Sequence, residues 1–131
     1  MADISADAAP EGGLALYPDG RRVLMLYALD LAPSTFAPIL PKLERRFFRH
    51  KLVILHTSLD FRPFMDAKAA FEQLPALEQI AEFPHLTDWP RYLADRHALL
   101  IAKWAPRRAI AYGTDFAGYM DQVRQIVGDH E

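Results

Sequence analysis

The sequence predicts an α/β protein built on a mainly parallel β-sheet. Three observations point there. Short, almost unbroken apolar runs at residues 22–29 and 51–57 suit strands covered on both faces. Amphipathic stretches separate such runs, so strand and helix alternate along the chain. With 131 residues, 51% of them hydrophobic and 24% charged, the chain has the composition of a single globular core.

Residues 1–20 read as a flexible acidic arm and turn, and residues 21–131 as one α/β domain. The arm carries Asp3, Asp7 and Glu11 without Lys or Arg in residues 1–13, so the positive region of a signal peptide is missing. Residues 14–17 have the pattern of a short strand, and Pro18-Asp19-Gly20 has turn chemistry. The run at 22–29 is the first strong strand. A helix is expected over 34–50, with Ser34 as N-cap. Pro38 and Pro41 confine its start, because proline is tolerated only in the first turn. Phe36, Leu40, Leu43 and Phe47 form its inward face.

The second strand covers 51–57. Residues 61–75 leave two readings open: a helix over 64–71, from the Ala-rich run at 67–70, or an edge strand over 69–74 closed by Pro75. Residues 76–83 suggest a short helix bearing Leu77, Ile80 and Ala81. The clearest helix opens at Asp88-Trp89-Pro90, with Thr87 or Asp88 as cap and Pro90 in its first turn. Leu93, Leu100 and Trp104 share one side with His97 between them, and Ala105-Pro106 stops the helix. A third strand follows at 108–113. The last helix runs over 115–127 on Phe116, Tyr119, Met120, Val123 and Val127, with Gly128 as C-cap. Right-handed crossovers would place helices on both faces of the sheet. The expected architecture is a three-layer αβα sandwich of Rossmann-like or flavodoxin-like kind, with the first strand central.

Several chemistries are excluded by residues the chain lacks. It has no cysteine, so thiol catalysis, disulfides and cysteine zinc sites are out, which suits a reducing cytoplasm. No window approaches 18 uninterrupted apolar residues, so no membrane span is expected. The turn after residue 29 has no glycine, which removes the dinucleotide fingerprint and the P-loop; no cofactor is expected. A phospho-receiver reading finds Asp30 and Asp60 but no Lys at the last strand end. The five histidines form neither HxH nor HExxH, so no metal site is expected. No GxSxG elbow occurs.

In an open parallel sheet, ligands favour the crevice beyond the carboxyl ends of the strands. Three ends can be read here. The first holds Asp30, Ser34 and Thr35. The second holds His56, Thr57, Ser58 and Asp60, with Arg62 behind. The third holds Gly113, Thr114 and Asp115. Ser34, Thr57, Ser58, Arg62, Thr114 and Asp115 are the candidate ligand contacts. Helix capping is the plainer account of Ser34, Thr114 and Asp115, and a local ion pair that of Asp60 with Arg62. His56 is the candidate acid/base group, with Asp60 or Asp30 orienting it, which defines an alternative reading as a small hydrolase or transferase. His97 reads as a half-buried helix residue.

The formal charge of -2 gives no global field toward nucleic acid or acidic lipid, and no nucleic-acid partner is expected. Residues 42–51 nevertheless hold five basic residues and one acid around Phe47-Phe48. A nucleic-acid patch or membrane-surface helix has this look; cations complementing a helix C-terminus account for it more simply. Residues 60–95 carry seven acids against three bases, so the surface should be bipolar. That suits a protein partner or self-association, with Phe64, Trp89 and Tyr92 as candidate anchors.

Two segments carry a family resemblance. Leu52-Val-Ile-Leu-His-Thr-Ser-Leu-Asp-Phe-Arg-Pro-Phe is followed by Ala70-Phe-Glu-Gln-Leu-Pro. Tyr92-Leu-Ala-Asp-Arg-His-Ala-Leu-Leu-Ile-Ala-Lys-Trp-Ala-Pro runs into Ala109-Ile-Ala-Tyr-Gly. Together, over residues 51–113, they resemble the amino-terminal Rossmann-like portion of bacterial glycosyltransferases of polysaccharide biosynthesis. The resemblance contains no catalytic motif. It implies an acceptor-side domain lacking the half that mainly binds the sugar nucleotide, with Asp30, Ser58, Asp60 and Arg62 lining an acceptor crevice. The expectation is therefore a binding domain for a protein partner or a polar small molecule at the strand ends.

Overall fold

The structure is a computed structural model that describes residues 2–3, 22–58 and 69–129. Among these residues the elements run β1 (Ala2–Asp3), β2 (Arg22–Ala28), α1 (Pro33–Phe36), α2 (Leu40–Arg46), β3 (His50–His56), β4 (Ala70–Gln73), α3 (Leu77–Glu82), α4 (Trp89–Trp104), β5 (Arg108–Ala111) and α5 (Phe116–Asp129). The expected strand at 14–17 and turn at 18–20 lie outside the described residues, as do Asp60, Arg62 and Phe64.

The fold is a mostly parallel α/β fold of Rossmann-like or flavodoxin-like type. The sheet order is β1-β5-β2-β3-β4. β5, β2, β3 and β4 are parallel, and β1 pairs antiparallel with β5. The start of the expected arm thus extends the sheet. β2 is central: β3 lies on one side in register from Arg22–His50 to Ala28–His56, and β5 on the other. The chain moves outward through β3 and β4, then returns across β2 to β5. The order therefore reverses between β2 and β5, which makes their carboxyl ends the topological switch point.

Period-two alternation divides the interior. Val23, Met25 and Tyr27 of β2 join Val53 and Leu55, Ile80 of α3, Leu93 and Leu100 of α4, and Tyr119 and Val123 of α5. Leu24, Leu26 and Ala28 join Ile54, Ile110, Phe36, Leu40, Leu43 and Phe47. Both parities of β2 are buried, which explains why its sequence does not alternate.

Local chemistry sets the element ends, and several differ from the sequence expectation. The helix expected over 34–50 is two helices. Pro38 and Pro41 cannot donate to the preceding turn, so the chain breaks at 37–39, and the Ile39 N–H turns back to the Phe36 carbonyl at 2.9 Å. Ser34 lies inside α1 rather than capping it: Pro33 takes the first helical position, and the Ala32 carbonyl accepts from Thr35 and Phe36. Residues 64–68 of the helix reading lie outside the described residues. Residues 70–73 form a parallel edge strand, as one of the two readings of 61–75 expects. Its Glu72 carboxylate receives Trp104 Nε1 and Lys103 Nζ, each at 3.2 Å, tying β4 to the end of α4. α4 begins as expected, with Asp88 Oδ1 accepting from the Arg91 N–H. It ends at Ala105, which takes the left-handed conformation at φ 43°. α5 continues through Gly128 instead of ending before it, because Ile126 and Val127 still pack on the core.

Candidate ligand-binding site

The carboxyl end of the sheet was the expected place for a ligand, and its residues are mostly engaged with one another. β2 leaves the sheet through Leu29, which bridges to Thr114, and Asp30, which adopts φ 54°. Asp tolerates this left-handed conformation better than most side chains. The Asp30 N–H donates to Thr57 Oγ1 at 3.1 Å, so the ends of β2 and β3 are joined side by side. Ser58 donates its N–H to His56 Nδ1 at 3.2 Å and accepts on its carbonyl from Gln73 Nε2 at 2.9 Å. After β5, Gly113 turns the chain with φ 78°, and Asp115 Oδ1 accepts from the Gly118 N–H at 2.8 Å. Asp115 is therefore the helix cap of α5. The Leu29–Thr114 bridge spans the switch point, and Asp30, Ser34 and Thr35 lie exposed on its surface.

His56 faces inward. It is 2% exposed, on the same side of β3 as Leu52 and Ile54, and its ring meets the edge of Phe71 at 6.1 Å between centroids. Burial holds its pKa below the ordinary imidazole value. Nδ1 accepts the Ser58 N–H, which keeps that nitrogen deprotonated. Of the two carboxylates expected to orient it, Asp60 lies outside the described residues, and Asp30 donates its backbone N–H to Thr57 Oγ1.

His97 is the more perturbed imidazole. Its Nε2 is 2.7 Å from the Tyr27 hydroxyl, and its ring stacks on Phe116 at 3.8 Å. Burial lowers its pKa to about 4 and raises that of Tyr27 to about 12. Both are neutral at pH 7, so the pair is a satisfied polar link between β2 and α4, in keeping with the helix-residue reading. No group of three or more His, Cys, Asp or Glu suited to a metal occurs among the described residues, and no described helix is long and apolar enough to cross a membrane.

A hollow lies further along the same edge, past the end of β4. Its volume is about 540 Å³, within the range of small-molecule sites. Gln73, Leu74 and Pro75 form one wall, and α3, the following turn and α4 supply Gln79, Glu82, Phe83, Leu86, Tyr92 and Arg96. The walls are held from behind. Tyr119 Oη donates to the Pro75 carbonyl at 2.7 Å, and burial raises its pKa. Trp89 Nε1 donates to the Phe83 carbonyl at 2.7 Å, fixing the turn that presents Phe83 and Leu86. The Tyr92 ring stands edge-on to Trp89 at 5.9 Å. Phe83, Leu86 and Tyr92 remain 53%, 71% and 47% exposed, and all three line this one groove.

The sequence offers Trp89 and Tyr92 as candidate anchors for a protein partner or self-association; Phe83, Leu86, Gln73 and Arg96, which line the same groove, were not among its candidates. The available signal was Phe83-Pro84-His85-Leu86, two large apolar residues in a loop between helices. Trp89 is itself a buried support, and Tyr92 is the exposed surface. No known protein family, curated protein or solved structure matches the chain.

Proposed function

We propose that this chain is a Rossmann-like binding domain whose ligand occupies the groove at the carboxyl edge of β4, and that the ligand is a polyhydroxylated, saccharide-like molecule. The observation that carries this reading is the convergence of Phe83, Tyr92 and Leu86 with Gln73, Gln79, Glu82 and Arg96 around one hollow. Aromatic and aliphatic walls accept the C–H faces of a sugar ring, and planar amide, carboxylate and guanidinium groups pair with its hydroxyls. Rigid aromatic surfaces also lose little side-chain entropy on binding.

The resemblance to glycosyltransferase amino-terminal portions supports the same ligand class. The Gln73-Leu74-Pro75 end of its first segment forms one wall, and its second segment contributes Tyr92 and Arg96. An acceptor glycan of polysaccharide synthesis is the form of ligand this combination favours. A protein partner is the second reading, favoured by the strongly exposed Leu86.

Titration of the chain with a panel of mono- and oligosaccharides and sugar nucleotides, followed by Trp fluorescence and calorimetry, tests the proposal. Trp89 borders Tyr92, so a bound sugar should change its emission. Saturable binding that Tyr92→Ala abolishes, with the fold unchanged, supports it. Absence of binding across the panel, or binding that Tyr92→Ala leaves intact, refutes it.

A further inference from the structure

The opposite, amino-terminal edge of the sheet concentrates positive charge that no single element explains. β2, β3 and β5 begin with Arg22, His50 and Arg108. By strand alternation all three share the face of Leu24, Leu52 and Ile110, the face that α1 and α2 cover. Register sets Arg22 beside His50 and Arg108 beside Leu24. α2 ends at the same place with Arg45 and Arg46 in its last turn. The Arg46 and Arg108 guanidinium groups lie over the Phe47 ring, at 5.1 and 5.5 Å from its centroid.

Next to this cluster Phe48 is 66% exposed, with the Arg49 guanidinium 5.3 Å from its ring centroid. A hollow of about 400 Å³ beside it is lined by Arg45, Phe48, His50 and Lys51, with Glu44 as the lining acid. His50 registers the local field: burial, Arg108 and Arg22, in that order, lower its pKa. The helix dipole accounts for Arg45 and Arg46. It does not account for Arg22 and Arg108, which arrive from separate strands, or for an aromatic ring exposed among cations.

We propose that this amino-edge face docks on an anionic phospholipid surface, with Phe48 entering the interface and the surrounding arginines meeting headgroup phosphates. The arginines are spread over the end of α2, the turn after it and the starts of β2 and β5 instead of converging on one point, which suits contacts with many separate headgroups. A single protruding aromatic residue flanked by arginines suits the boundary between headgroups and acyl chains. Glu82 lies in the groove at the opposite, carboxyl edge, away from this face.

Co-sedimentation of the full chain with phosphatidylcholine vesicles, with and without phosphatidylserine, at low and high salt, decides the matter. The expected result is binding that requires phosphatidylserine and weakens with salt. Arg45→Glu combined with Arg49→Glu should lower partitioning by about 30-fold or more. Phe48→Ser should lower it by about tenfold, the loss expected when one buried aromatic side chain is removed from an interface. All three residues are exposed, so circular dichroism and melting should be unchanged in the variants. Absence of binding to phosphatidylserine vesicles at low salt overturns the proposal. So does equal binding to neutral vesicles, or binding that Phe48→Ser leaves unaltered.

Discussion

Acidification should destabilise this fold through His97 well before its carboxylates titrate. The ring is wedged between the Tyr27 hydroxyl at 2.7 Å and the Phe116 face at 3.8 Å, and burial lowers its pKa from 6.5 to about 4. The folded state therefore binds this proton less tightly than the unfolded state does. Between pH 6.5 and 4 the unfolded chain carries more of it, so stability falls as pH falls through that window and levels off below it. The full displacement corresponds to about 3 kcal/mol, and the ring's partial exposure reduces the expected loss to about 2 kcal/mol. His50 and His56 shift in the same direction, so the His97 contribution must be taken as a difference. Urea denaturation followed by Trp fluorescence at several values between pH 7 and pH 4, on the native chain and on His97→Gln, isolates it. The two stability curves should converge toward acid by about 2 kcal/mol. Parallel curves, or a His97 NMR titration near pH 6.5, would refute the reasoning.

Other substitutions follow from single contacts. Ala105→Gly should raise stability by about 1 kcal/mol in chemical denaturation, because Ala105 holds φ 43° at the end of α4 and glycine adopts that conformation without strain. Tyr119→Phe should cost about 1 kcal/mol, because it leaves the Pro75 carbonyl without its donor where α5 braces the groove wall. Leu93→Ala, at a fully buried position under α4, should cost about 3 kcal/mol and lower the urea midpoint accordingly. Tyr92→Ala should change stability by no more than about 0.5 kcal/mol while removing saccharide binding, since its ring is half exposed.

Legibility in the sequence followed the range of the interactions involved. β2 and β3 were plain because strands buried on both faces leave continuous apolar runs. α4 was plain because Asp88, Pro90 and the Leu93–Leu100 spacing act within a few turns. The break after Phe36 is harder to read: Pro38 and Pro41 mark the start of a helix, but their combined loss of donors divides the expected helix instead of delaying its start. Ser34, Thr114 and Asp115 carry chemistry suited to a ligand; the Asp115 side chain caps α5, as short polar side chains at helix starts often do, while Thr114 pairs with Leu29 through its backbone. The groove itself was not legible. Phe83 and Leu86 are exposed only because Trp89 Nε1 holds their turn by the Phe83 carbonyl, and Gln73 reaches it only because β4 is the edge strand. The basic face was half legible, since Lys42 to Lys51 is contiguous, whereas Arg22 and Arg108 join it only through parallel register.

The central claim is that the carboxyl-edge groove, not the switch point, receives the ligand. Backbone amide shift mapping of the isotopically labelled chain, titrated with the tightest-binding saccharide of the panel, tests it most directly. The account predicts saturable shifts at Gln73, Phe83, Leu86, Tyr92 and Arg96, with Asp30, Ser34 and Thr114 left in place. Shifts confined to Asp30, Ser34, Ser58 and Thr114 would contradict it and return the ligand to the crevice between β2 and β5.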